Sequence, residues 1–155
     1  MTDDDLKPRG RPDRHTDGPG TIVVGIDGSD SSLHAAAYAA GLARRQGARL
    51  VAVYVRTLSA PVVPLAGAAS AVIEAQDAVE RELRSAIEQR VSPLAVDIEL
   101  VVRTGEPYAE LIDVAEQVHA DAVIVGRSTK MLHRIAGSLA VKLVRAGRWP
   151  VTVVP

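Results

Sequence analysis

The chain has 155 residues, a net charge of −1 and no cysteine. That length holds one domain with a full core, the near-neutral charge gives no field that draws it to nucleic acid or an anionic membrane, and the missing thiols exclude disulfides, thiolate metal sites and thiol catalysis. Apolar residues make up 47% of the chain, yet aromatics are 3% and Phe is absent, so the core is built from Val, Ile, Leu and Ala, which suit buried parallel strands under closely packed helices. No run reaches the roughly 18 apolar residues of a membrane span. The charged N-terminus has no apolar h-region, which leads to the expectation of a soluble, cytoplasmic chain.

Residues 1–20 are polar and rich in Pro and Gly, and their five Asp offset their four Lys and Arg. They bury too little to offset their ordering entropy and are expected to form a disordered tail, with the folded domain at 21–155. Thr21–Ile26 is a β-branched run and predicts a buried strand. Asp27-Gly28-Ser29-Asp30 signals a turn and helix start, followed by an Ala-rich helix over 33–46. Its expected stripe is Leu33, Ala36, Ala37, Ala40 and Ala43, and Gly47 is its stop. Residues 49–55 predict a second strand. The Pro, Gly and Ala segment 57–69 reads as an apolar loop or lid.

A long amphipathic helix is expected over 71–90, with Val72, Ala75, Val79, Leu83, Ala86 and Ile87 on one face. Residues 95–102 predict an edge strand, because Asp97 and Glu99 alternate with Val96, Ile98 and Leu100. Gly105-Glu106-Pro107 opens another helix with the stripe Leu111, Ile112, Ala115 and Val118. A strand over 121–125, a polar loop over 126–136, a helix from Gly137-Ser138 to about Ala146 and a last strand over 151–154 complete the chain.

Such alternation argues a three-layer, Rossmann-like α/β fold: an open five-stranded parallel sheet with helices on both faces and strand order 3-2-1-4-5. That order has a switch point, and ligands bind beyond the C-terminal ends of strands 1 and 4 there. Two turns converge on it. One carries Ile26, Asp27, Gly28 and Ser29; the other carries Gly126, Arg127, Ser128 and Thr129 and leads to Gly137-Ser138. Small and hydroxyl residues beside helix N-termini suit phosphate oxygens, and Asp27 suits a ribose, an adenine or a metal. The structural alternative is that Asp27 and Ser29 only cap the first helix and that Gly126 is only a turn residue.

No Walker sequence and no G-x-G-x-x-G follow strand 1, and no G-x-S-x-G elbow is present. His15, His34, His119 and His133 show no metal-ligand spacing, and no acid/base pair stands out. The expectation is a binding protein and not an enzyme.

The segments IVVGIDGSDSS, RLVAVYV, VVRTGEPYAELIDVAEQVHADAVIVG and GSLAVKLVRAGRWPVTVVP together resemble the universal stress protein family over 21–155. The resemblance implies an adenine-nucleotide alpha hydrolase-like fold and a stress-response regulator. In the ATP-binding branch it implies a site of the form G-x-x-G-(x)9-G-[ST]. Asp27, beside Ile26, takes the family aspartate, Val55 takes the strand 2 position at the adenine, Gly126 the first glycine and Gly137-Ser138 the final pair. ATP or another adenine nucleotide, with Mg accompanying it, is the implied ligand. The chain departs from that form: Thr129 replaces the second glycine, seven residues rather than nine precede Gly137, and Lys130, His133 and Arg134 lie in the loop. A non-nucleotide interaction module therefore stays open as the alternative. The resemblance also implies a homodimer through the last strand, at Val151 and Val153, which is apolar and lacks charged gatekeepers, with Trp149 packing at that interface.

Overall fold

The structure is a computed structural model that describes residues 18–57, 67–128 and 139–155. Most of the expected tail, the centre of the expected 57–69 loop, and Thr129, Lys130, His133, Arg134, Gly137 and Ser138 lie outside the described residues.

Five strands form one parallel sheet: β1 (Thr21–Ile26), β2 (Arg49–Arg56), β3 (Ile98–Thr104), β4 (Ala122–Gly126) and β5 (Val151–Val154). Their order is β3-β2-β1-β4-β5, as the alternation of elements predicts. The central strands carry almost unbroken β-branched runs because both faces of the sheet are covered. Ile22, Val24, Leu50, Ala52 and Ile124 point to one side, against α1 (Asp30–Gln46) and α2 (Ala68–Ala86). Val23, Val51, Val53, Val123 and Val125 point to the other. There they meet Leu111, Val114 and Ala115 of α3 (Pro107–Gln117) and Leu143 of α4 (Leu139–Ala146). The register sets Val23 beside Val51 and Val123, so the strands bury matched side chains.

Several expectations need correction. Helix α1 begins at Asp30, because Ser29 caps it and an acidic residue in the first turn suits the helix dipole. Its buried residues are Ser31, Ser32, Ala35, Ala39, Ala40 and Ala43, while Leu33 and Ala37 are exposed. Alanine is apolar on every side of a helix, so an Ala-rich pattern fixes the buried face poorly. The backbone approach of α1 to the sheet selects the side with the smallest groups. Gly47 does end α1, in the left-handed conformation at φ 62°.

Helix α2 starts at Ala68, three residues before the expected position, and gives way to a π turn (Ile87–Val91) and a 3-10 turn (Ser92–Leu94). Val72 and Ala75 of the expected stripe are exposed, and Leu83 is the one buried residue of the helix. Strand β3 starts at Ile98 rather than at residue 95, because Ala95 has φ 53° and cannot continue an extended run. It lies at the sheet edge, as its polar alternation predicts. Glu99, expected in water, is half-buried and paired with Arg49 of β2. Asp121 precedes β4: its Oδ2 accepts hydrogen bonds from the N–H groups of Gly20 and Thr21 (2.8 and 2.9 Å), pinning the start of β1.

Candidate functional site

The expected crevice lies beyond the C-terminal ends of β1 and β4, which run side by side with Gly25 registered on Val125. On the β1 side, Asp27 and Gly28 are exposed and Ser29 is half-buried. The turn is tightly tied. Asp27 Oδ1 accepts from the Ser29 N–H (2.9 Å) and from Ser29 Oγ–H. Ser29 Oγ in turn accepts from the Ser32 N–H (3.3 Å). Ser32 Oγ donates to the Ser29 carbonyl (2.9 Å) and accepts from the Asp27 N–H (3.2 Å). Gly28 takes φ 83°, where a side chain is strained. Ser29 is thus the N-cap of α1, and Asp27 braces the cap residue.

Asp30 stands in the first turn of α1, where it suits the helix dipole, and Asp27 lies in the turn just before the cap. A phosphate placed there meets two carboxylates, whereas a ribose hydroxyl or an amino group meets acceptors. The β1 side of the crevice therefore fits the uncharged, hydrogen-bond-donating part of a nucleotide.

On the β4 side, Gly126 is half-buried and Arg127 and Ser128 are exposed. The Arg127 N–H donates to the Val154 carbonyl (2.7 Å), which holds the end of β5 to this turn. A Cβ on Gly126 would stand 2.5 Å from the Ser31 carbonyl oxygen and 2.8 Å from the Ser32 nitrogen. Glycine is needed there because the first turn of α1 lies against β4. That space holds protein backbone, which accounts for the residue without a ligand.

Ile26 and Val55 divide between the two faces of the sheet. Ile26 is 6% exposed and packs under α1 and α2, so it presents backbone alone to the crevice. Val55 is half-buried and packs on the α3 and α4 side. The structure thus brings Asp27, Gly28 and Ser29 to Gly126 and Arg127 across neighbouring strands, with Val55 one strand further on.

Sequence reasoning missed a polar group beside this crevice. Arg56, at the end of β2, is paired through Nη2 with Asp77 (2.7 Å) and with Glu80 of α2. Arg84 donates from Nε and Nη2 to the other oxygen of Glu80 (3.0 and 2.8 Å). The Arg84 and Arg56 hydrogen bonds hold the Glu80 carboxyl below its ordinary value. Glu80, and to a lesser extent Asp77, hold the Arg56 guanidinium above its ordinary value. Burial pushes the Tyr54 phenol up against the opposing charge of Arg56, with Glu80, Asp27 and Asp77 adding to the rise. The spacing of Asp77, Glu80 and Arg84 on one helical face was the available signal. Its partner Arg56 is more than twenty positions away, and only the fold joins them. Among the described residues no group of three or more His, Asp or Glu is placed to hold a metal ion.

The model of the universal stress protein family matches residues 19–155. This chain belongs to the universal stress protein family. A universal stress protein of Methanocaldococcus jannaschii is 32% identical over 136 residues, which is 86% of this chain and 80% of the relative. Among solved structures, the universal stress protein UspA from Lactobacillus plantarum is 29% identical with a TM-score of 0.69, covering 87% of this chain and 97% of that one. A universal stress protein solved in complex with cAMP is 26% identical with a TM-score of 0.61, covering 88% and 97%. The five-stranded sheet and its strand order are those of the family fold. No helix among the described residues is long and apolar enough to cross a membrane.

Proposed function

We propose that this universal stress protein binds an adenine nucleotide in the crevice between the ends of β1 and β4 and acts as a regulator of a stress response by binding rather than by turnover. The observation that carries the reading is the exposed carboxylate of Asp27, held by Ser29 on a rigid turn at the sheet's switch point. A relative of the same fold that holds cAMP supports it. Asp27 accepts hydrogen bonds from the adenosine part, and the two carboxylates at the start of α1 direct the phosphates to the β4 side. Gly28, Ser29, Val55, Gly126 and Arg127 line that path. In the sequence, Thr129, Gly137 and Ser138 follow β4 as the further nucleotide-binding candidates, and Lys130, His133 and Arg134 between them carry charge that suits phosphate. ATP is the first candidate, with Mg carried by its phosphates. AMP and cAMP are the alternatives.

The test is calorimetric titration with ATP, AMP and cAMP of the native chain and of Asp27→Asn. The amide oxygen of Asn still accepts from Ser29, so the turn survives. The expected result is binding that weakens at least about tenfold in Asp27→Asn, the loss of roughly one charged hydrogen bond. Binding to none of the three at millimolar concentration overturns the reading. It decides for the second one, an interaction module without a nucleotide, which the replacement of a motif glycine by Thr129 favours.

The same reading includes a two-fold homodimer through β5. Strand β5 ends the sheet, pairs with β4 on one side, and carries Val151, Thr152, Val153 and Val154 with no charge among them. Val153 is 42% exposed. An uncharged edge of this kind is a template for a second strand.

A further inference from the structure

Three contacts converge on one turn of α2. Val79 lies over Gly28, so closely that a Cβ there would stand 3.0 Å from Val79 Cγ1. Gln76 Nε2 donates to the Thr57 carbonyl (2.9 Å). Asp77 and Glu80 hold Arg56. The residues from Gln76 to Glu80 therefore touch both the turn after β1 and the end of β2, two of the walls of the crevice. The last registered pair of these strands is Ile26 with Tyr54, so Gly28 and Arg56 both lie two residues beyond it.

The rest of α2 is weakly anchored. Of its 19 residues Leu83 is buried, with Val79 packed against the same core. Its N-terminal half carries Val72 (38% exposed) and Ile73 (55% exposed) into solvent. An element with so little apolar burial has a low local opening free energy. Arg56 is the opposite case: its backbone belongs to β2 and is registered on Thr104 of β3. The guanidinium is thus a tether from a fixed strand to a loosely held helix. Both carboxylates meet it at Nη2, and its Nε is buried with no acceptor among the described residues.

We propose that α2 is the output element of the crevice, and that Arg56 is the positioning residue that links the two. A ligand seated between the Asp27-Gly28 turn and the end of β2 fixes the Gln76–Glu80 turn and thereby draws the N-terminal half of α2, with Val72 and Ile73, into one position. A ligand shifts such an equilibrium by its differential affinity for the two arrangements. This inference rests on the nucleotide reading above.

The test is hydrogen exchange with mass-spectrometric readout on the full chain, with and without cAMP or ATP at concentrations that calorimetry shows to be saturating. Ligand is expected to slow exchange in peptides covering Ala68–Ala86 by about fivefold, and Arg56→Met to speed it by about tenfold in the ligand-free protein, with β1 and β4 unchanged. In Arg56→Met the ligand's effect on α2 is lost. Arg56→Lys keeps a charge without the planar fork and falls between the two, which guards against misfolding of the Met variant. Binding by calorimetry with unchanged α2 exchange overturns this inference and leaves the nucleotide reading standing. No binding overturns both. Unchanged α2 exchange in ligand-free Arg56→Met overturns the tether.

Discussion

Replacing Gly126 by Ala tests whether the end of β4 is shaped by protein packing. The new Cβ meets the Ser31 carbonyl oxygen at 2.5 Å, the Ser31 carbonyl carbon at 2.6 Å and the Ser32 nitrogen at 2.8 Å. All three are backbone atoms, so no side chain can rotate away. Reaching the 3.4 Å at which ordinary contact begins needs 0.9 Å of movement by the first turn of α1. That turn carries the Ser29 cap and the Ser32 and Asp27 hydrogen bonds, so the shift loosens a network as well as a contact. Overpacking of this kind costs about 1–3 kcal/mol, and part of a cap worth about 1 kcal/mol is lost with it. At about 3 °C per kcal/mol for a chain of this size, the Tm is expected to fall by roughly 3–12 °C. Gly147→Ala is the reference. That glycine is left-handed at φ 63° with nothing within 4 Å of its Cβ, so its substitution bears backbone strain alone, about 1 kcal/mol. Thermal unfolding by far-ultraviolet circular dichroism reads both. A Gly126→Ala protein as stable as the native chain, or more stable than Gly147→Ala, refutes the close approach of α1 to β4.

Other outcomes follow from the same geometry. Ser29→Ala is expected to lower stability by about 1 kcal/mol in a denaturant titration, since it removes the N-cap of α1. The Glu80 carboxyl is held below its ordinary value by Arg84 and Arg56. Its contribution is therefore complete above the unfolded carboxylate value and is lost as pH falls below it. Protection of α2 amides, taken relative to their intrinsic exchange rate at each pH, should fall below about pH 4.5, and Glu80→Gln should remove much of that dependence. Val153→Lys places a charge on the β5 edge, and light scattering after size-exclusion chromatography should show a dimer becoming a monomer. An unchanged mass for a dimeric native chain would place the interface elsewhere.

Sequence and fold part company where the residue that decides a position is far along the chain. Strand β1 and the stop at Gly47 were legible because β-branched runs and a left-handed glycine are local signals. The alternation of elements was enough for the strand order. The phase of α1 was not, because alanine is apolar on every face of a helix, and neither was the exposed half of α2, whose pattern promised a buried stripe of which Leu83 alone is buried.

At the crevice the divide has the same cause. By itself the sequence determined that Asp27 follows strand 1 and that Gly126 lies at the C-terminal end of strand 4, because parallel order follows from short right-handed connections. In the structure Gly126 is the last residue of that strand rather than the first after it as expected. Only the tertiary structure decided that Gly126 is held against the backbone of Ser31, that Ile26 faces the core, and that Arg56 is joined to Asp77 and Glu80. Those facts depend on how closely a helix approaches a sheet and on which side chains meet across it. Distances of that kind are set by the packing of the whole core and have no local signature in the chain.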